Sequence, residues 1–139
     1  MSLFGVLNIT GTGMAAEAQR LSTVASNIAN ANSTTSTAGQ PYRAREVVFR
    51  AVPLEDGDNA PASGGMAGVQ VAGVVESAAP FHKTYDPTSS FADASGYVQS
   101  PNVNPVDEMM NMISAQQDYQ ANLEAFNVAK SLALRTLSL

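Results

Sequence analysis

After Pro105 the chain contains neither glycine nor proline, which leaves its C-terminal stretch one regular structure to adopt, a single long helix. Its start is signalled by Asn104, whose side chain can cap, and by Pro105 at the first helical position. Asp107 and Glu108 follow in the first turn, where the helix dipole favours carboxylates. A helix of ~30 residues is about 45 Å long. Along it Met109, Met112, Gln116, Tyr119, Leu123, Phe126, Lys130, Ala133 and Leu137 alternate three and four apart, the repeat that keeps one stripe against a partner helix. An ordinary amphipathic core helix leaves a similar pattern. Val106, Met110, Ile113, Val128, Leu132, Leu134 and Leu139 lie off the stripe, more than one partner helix can cover.

The other end of the chain carries the same spacing. From Ser2, a potential cap, to about residue 32, Phe4, Leu7, Gly11, Met14, Ala18, Leu21, Ala25, Ile28 and Asn32 repeat three and four apart. Gly11 and Gly13 weaken a helix by about 1 kcal/mol each relative to alanine, so a bend is expected near Thr10 to Gly13. Gly11-Thr12-Gly13 is half of a phosphate loop, but no strand precedes it and no lysine follows, so nucleotide binding is set aside. The helix should fade over Asn27 to Asn32, and Ser33 to Gly39 reads as a polar linker.

All seven prolines fall between Pro41 and Pro105, and seven of the ten glycines between Gly39 and Gly96, so the middle of the chain cannot be helical. Strands are expected over Tyr42 to Val52, Val69 to Val75 and Phe81 to Tyr85, with an exposed loop over Glu55 to Gly68 and a turn at Asp86-Pro87. The expected organisation is an N-terminal helix over residues 1–33, a β-rich insert with loops over 34–104 and a C-terminal helix over 105–139. The fold class is α+β, with the terminal helices paired as an antiparallel coiled-coil-like hairpin. Phe4, Leu7, Met14, Leu21 and Ile28 would face Met109, Tyr119, Leu123, Phe126 and Leu137 in its seam.

Little here suggests chemistry. A net charge of -5 with 14% charged residues argues against nucleic acid, whose phosphates demand clustered Lys and Arg. Arg43, Arg45 and Arg50 fall at strand spacing and read as a solvated or inter-subunit face. There is no cysteine, and His82 is the only histidine, without a recognisable partner motif. Asp56 and Asp58 flank Gly57 but no glutamate closes a calcium loop. Met109, Met110 and Met112 could line a peptide groove, although core packing explains them more simply. The reading is therefore a non-enzyme with no catalytic residue, cofactor or metal. The N-terminus lacks a basic leader, and no run of ~18 apolar residues offers direct membrane insertion.

Two segments carry a family likeness. Ala25-Ser26-Asn27-Ile28-Ala29-Asn30-Ala31-Asn32 followed by Pro41-Tyr42-Arg43, and Asn111 to Asn122, resemble the two terminal signatures of the flagellar rod and hook axial proteins. Tyr85-Asp86-Pro87, Gly96 to Asn104 and Ala129 to Leu137 resemble the short proximal-rod members. The chain departs from the family in its first linker, where Ser33 to Gln40 is a longer Ser/Thr tract. The resemblance implies a structural subunit of the bacterial flagellar basal-body rod, a periplasmic shaft. Such subunits leave the cell through the flagellar type III export apparatus without signal cleavage. Copies of the chain, other rod proteins and the ring-to-rod junction protein would be its partners. Asn27, Asn30 and Asn32 are then candidates for inter-subunit hydrogen bonds, with helix capping as the competing role, and Leu132 and Leu134 for apolar subunit contacts. A soluble coiled-coil adaptor that binds one partner helix in a groove is the rival reading.

Overall fold

A computed structural model describes residues 3–34, 39–54 and 66–138. Helix α1 spans Leu3–Asn30 and helix α2 spans Pro105–Leu137. Between them lie β1 (Arg45–Pro53), β2 (Ala67–Glu76), β3 (His82–Tyr85) and β4 (Tyr97–Ser100). The fold is α+β, two terminal helices with a small antiparallel insert between them.

Helix α2 begins as its sequence dictates. Asn104 Oδ1 accepts the amide of Val106 at 3.1 Å, its Nδ2 donates to Asp107 Oδ2 at 2.8 Å, and Pro105 fills a position whose missing N–H costs nothing. Ser2, the expected cap of α1, lies outside the described residues. Helix α1 runs without interruption through Gly11 and Gly13, where a bend was expected.

The insert forms two separate ribbons. Strands β1 and β2 pair antiparallel from Arg45 opposite Glu76 to Pro53 opposite Ala67, with a register shift between Val48 and Phe49. Strands β3 and β4 pair from His82 opposite Ser100 to Tyr85 opposite Tyr97. Tyr42 to Ala44, expected to be strand, instead descend into the core, where Ala31, Ala44 and Val103 pack with Tyr42 against them. The expected third strand starts one residue later, and β4 is an element that pattern alone passed over. The loop read over Glu55 to Gly68 lies outside the described residues up to position 65, and its last residues, Ala67 and Gly68, already belong to β2.

Helix α1 is the central element. One side meets α2, another meets β1 and β2. It accordingly buries Gly5, Thr10, Ala16, Thr23, Val24 and Asn27, whereas the longer α2 buries only Ala115 and Ala129.

Candidate assembly surface

The helices run antiparallel. Asn27 of α1 meets Glu108 of α2, Arg20 meets Asp118, Gly13 meets Asn122, and Leu3 and Val6 share a groove with Ala125, Ala129 and Leu132. On α1 and the residue just past its end, the meeting positions, Glu17 beside Asp118, and the buried Thr10, Val24 and Ala31 form the series 3, 6, 10, 13, 17, 20, 24, 27, 31. On α2, the buried and half-buried positions are 108, 112, 115, 119, 122, 126, 129 and 133. Both series alternate three and four, so the hairpin is coiled-coil-like, with half-buried Leu3, Val6, Met112, Tyr119 and Phe126 interleaved with small and polar residues. A Cβ built on Gly13 would come within 3.0 Å of the Asn122 amide, and Ala115 is 0% exposed. These small side chains let the helices approach closely between the larger Met112, Tyr119 and Phe126.

The α1 stripe expected from hydrophobicity lies one residue away, a rotation of about 100°. The residues of that stripe therefore separate. Phe4, Met109, Leu123 and Leu137 stand in solvent, with Phe4 81% and Leu137 84% exposed. Leu7, Met14, Leu21, Ile28, Tyr119 and Phe126 are half-buried. Met109 and Met110 are exposed, so only half-buried Met112 of that cluster contributes to packing within the chain. What an isolated amphipathic helix would turn inward, α2 leaves exposed: Val106, Met109, Met110 and Ile113 near its start, Leu134 and Leu137 near its end, and Val128 and Leu132 at the rim of the open groove they form with Leu3 and Val6. Leu132 and Leu134, the expected apolar contacts, belong to this outer set. Exposed apolar groups on this scale mark a surface made to be covered.

Asn27 is not available to another subunit. It is 1% exposed, and each of its four hydrogen-bonding positions is used. Its Nδ2 donates to the Arg45 carbonyl at 2.8 Å and to Glu108 Oε2 at 3.0 Å. Its Oδ1 accepts the Arg45 amide and the Tyr42 hydroxyl, each at 2.9 Å. One side chain thus joins α1, the entry of β1 and the first turn of α2. Asn30 donates to the Ser26 carbonyl at 2.8 Å, bonding its own helix, and Asn32 is exposed. Asn102 completes the junction from below, accepting the Ala44 amide at 2.8 Å and donating to the Ala79 carbonyl at 2.9 Å. Each arginine of the expected face has its own partner: Arg43 lies over Phe81, Arg45 pairs with Glu76, and Arg50 donates to Gln70.

Midway along the hairpin, Arg20 stands 3.5 Å from Glu17 and 3.7 Å from Asp118. Desolvation raises the Glu17 carboxyl above its ordinary 4.5, and Asp118 adds to the rise, while Arg20 opposes it. Glu17 Oε2 has no well-formed hydrogen bond, so the guanidinium offsets only part of the cost. An acid raised in the fold is penalised when ionised. That penalty is full above the folded value and disappears as pH falls through it toward 4.5. Glu17→Gln should therefore stabilise the chain at pH 7 by about 0.5–1 kcal/mol, and by nothing near pH 4. Urea midpoints at the two pH values measure this; an equal gain at both would contradict it.

His82 is exposed in β3, and among the described residues no three His, Cys, Asp or Glu side chains gather to hold a metal ion. No helix among them is long and apolar enough to cross a membrane.

Comparison with known proteins accounts for both ends of this hairpin. Residues 7–35 match the family described as Flagella basal body rod protein, and residues 94–139 match the Flagellar basal body rod FlgEFG protein C-terminal family. The flagellar basal-body rod protein FlgC of Salmonella typhimurium is 48% identical over 139 residues, covering 100% of this chain and 98% of that one. FlgC of Escherichia coli O6:H1 is 47% identical with the same coverage. The Borreliella burgdorferi protein is 35% identical over 149 residues, again covering 100% and 98%. With likeness of this degree running from end to end, the chain belongs to the FlgC family of flagellar basal-body rod proteins.

Proposed function

We propose that this chain is a structural subunit of the flagellar basal-body rod, in its proximal segment, and that the outward apolar face of α2 is buried there by neighbouring subunits. The observation that carries the reading is the inverted distribution of side chains. Small and polar groups share the α1–α2 seam with half-buried Met112, Tyr119 and Phe126, while Met109, Met110, Ile113, Leu134 and Leu137 are left outside it. Burying a side chain of this kind contributes about 1.5–3 kcal/mol, so the face favours association strongly. Heterologous contacts that do not close a ring build a helical shaft. Torque passes along such a shaft because sliding close-packed helices would open voids and break many contacts together.

The partners on this reading are copies of the chain, other rod proteins and the ring-to-rod junction protein. Its place is periplasmic, reached through the flagellar export apparatus without a cleaved signal. The role is structural and not enzymatic. Asn32, Leu132 and Leu134 are available for contacts between subunits, and the exposed valines of the β1–β2 ribbon, Val48, Val74 and Val75, for lateral ones.

Light scattering on the purified chain tests this. The wild type should associate without a fixed stoichiometry as concentration rises. Ile113→Asp with Leu134→Asp should abolish association and leave the far-ultraviolet circular dichroism intact. A plateau at a small defined complex would instead indicate an adaptor that binds one partner helix, and would overturn the rod reading.

A further inference from the structure

The β1–β2 ribbon lies along α1 from Asn27 to Thr12, and its two ends are fastened very differently. At the Asn27 end, the Arg45 amide and carbonyl both bond a side chain that is 1% exposed. At the other end, among the described residues, one solvent-exposed hydrogen bond, 3.2 Å long, runs from the Val69 amide to Thr12 Oγ1. The same hydroxyl donates to the Ile9 carbonyl at 2.8 Å, and a Cβ on Gly68 would stand 2.9 Å from it. Beside the Thr12 fastening an open groove of about 290 Å³ runs along the α1–β2 contact, lined by Ala15, Gln19, Val69 and Val71 among others.

Thr12 sits where α1 is weakest. Gly11 and Gly13 flank it, and Thr10 bonds back to the Val6 and Leu7 carbonyls at 2.9 and 3.1 Å, a habit that favours helix bending. The segment is nonetheless regular helix, and the ribbon lies against it. We infer that the β1–β2 ribbon is a strap with a fixed anchor at Asn27 and a release latch at Thr12, whose far end lifts to let α1 bend at Thr10–Gly13. Closed, the strap splints the glycine-bearing turn. Open, it frees the turn to reorient Leu3–Ile9, with the exposed Phe4, against a neighbouring surface.

The asymmetry is readable amide by amide in hydrogen exchange of the full chain. The Val69 amide reports the latch and the Arg45 amide the anchor, while the Ala16 amide reports the helix beneath. In the wild type Val69 should exchange at least about tenfold faster than Arg45 and Ala16, about 1.4 kcal/mol in opening free energy. Thr12→Val, which removes the acceptor, should speed Val69 by about another tenfold and leave Arg45 unchanged. Gly68→Ala, which wedges the latch open from the ribbon side, should do the same. Exchange of Val69 and Arg45 at one shared rate would mean a single cooperative unit and would overturn the strap. So would Val69 opening together with Ala16, which would place the motion in helix unwinding.

Discussion

Asn27→Asp should cost the chain about 3–5 kcal/mol, and Glu108→Gln in the same chain should return about 1–2 kcal/mol of it. The substitution keeps size and shape and alters only polarity. Asn27 Oδ1 keeps its two donors, the Arg45 amide and the Tyr42 hydroxyl. Its Nδ2, however, becomes an oxygen facing the Arg45 carbonyl at 2.8 Å and Glu108 Oε2 at 3.0 Å. A buried carboxylate is then opposed by another carboxylate and by a carbonyl, with no new donor in reach. Changing Glu108 to glutamine restores a donor to one of those two positions, so the rescue is partial. Urea midpoints of the wild type and the two variants give the comparison. Stability of Asn27→Asp within about 0.5 kcal/mol of wild type would show that the junction does not depend on this side chain.

The sequence makes plain where backbone rules act alone. Asn104 and Pro105 start α2 as their chemistry requires, and the described residues of the Gly- and Pro-rich middle form antiparallel strands and no helix, although β1 and β2, at 9 and 10 residues, are longer than that composition suggests. On α2 the expected stripe shares Met112, Tyr119, Phe126 and Ala133 with the meeting face, but on α1 that face was not legible, for a physical reason. Periodicity scores transfer free energy, so it assigns the greasiest stripe to the nearest interior. Here the interior of the hairpin is set by how closely two backbones can come. Gly13, Thr10, Ala115 and Ala129 permit that approach and contribute almost nothing to a hydrophobic pattern. The greasy stripe is real, but it is made for an interior that one chain does not contain.

Asn27 escaped for a related reason. An asparagine at the end of a helix reads as a cap, and nothing local reveals that Arg45 and Glu108, 18 and 81 residues away, will meet it. The signal that could have found it is the family likeness over Ala25 to Asn32, joined to Tyr42 and Arg43 across the linker. Tyr42 is itself a partner of the same oxygen. Strand β4 was missed because Tyr97–Ser100 is four residues long and leans on β3 for its register.

Ala115→Leu should destabilise the hairpin by about 2–3 kcal/mol and separate the helices, whereas Met110→Gln should leave stability within about 0.5 kcal/mol. Ala115 is 0% exposed on the face that meets α1, where Gly13 and Asn122 are already in close approach. Three additional carbons have no void to enter, so they must push the backbones apart, loosening the Arg20–Asp118 and Asn27–Glu108 links on the same face. Met110 is 59% exposed on the outer side, so most of its surface is not buried within the chain. The pair therefore sets hydrophobicity against position: adding apolar volume harms the fold, and removing it does not. Association should respond in the opposite way to Met110→Gln, weakening by up to about tenfold while the urea midpoint stays fixed. If Met110→Gln destabilised the monomer as much as Ala115→Leu, the outer stripe would be part of this chain's own core, and the division between a face that folds and a face that assembles would fail.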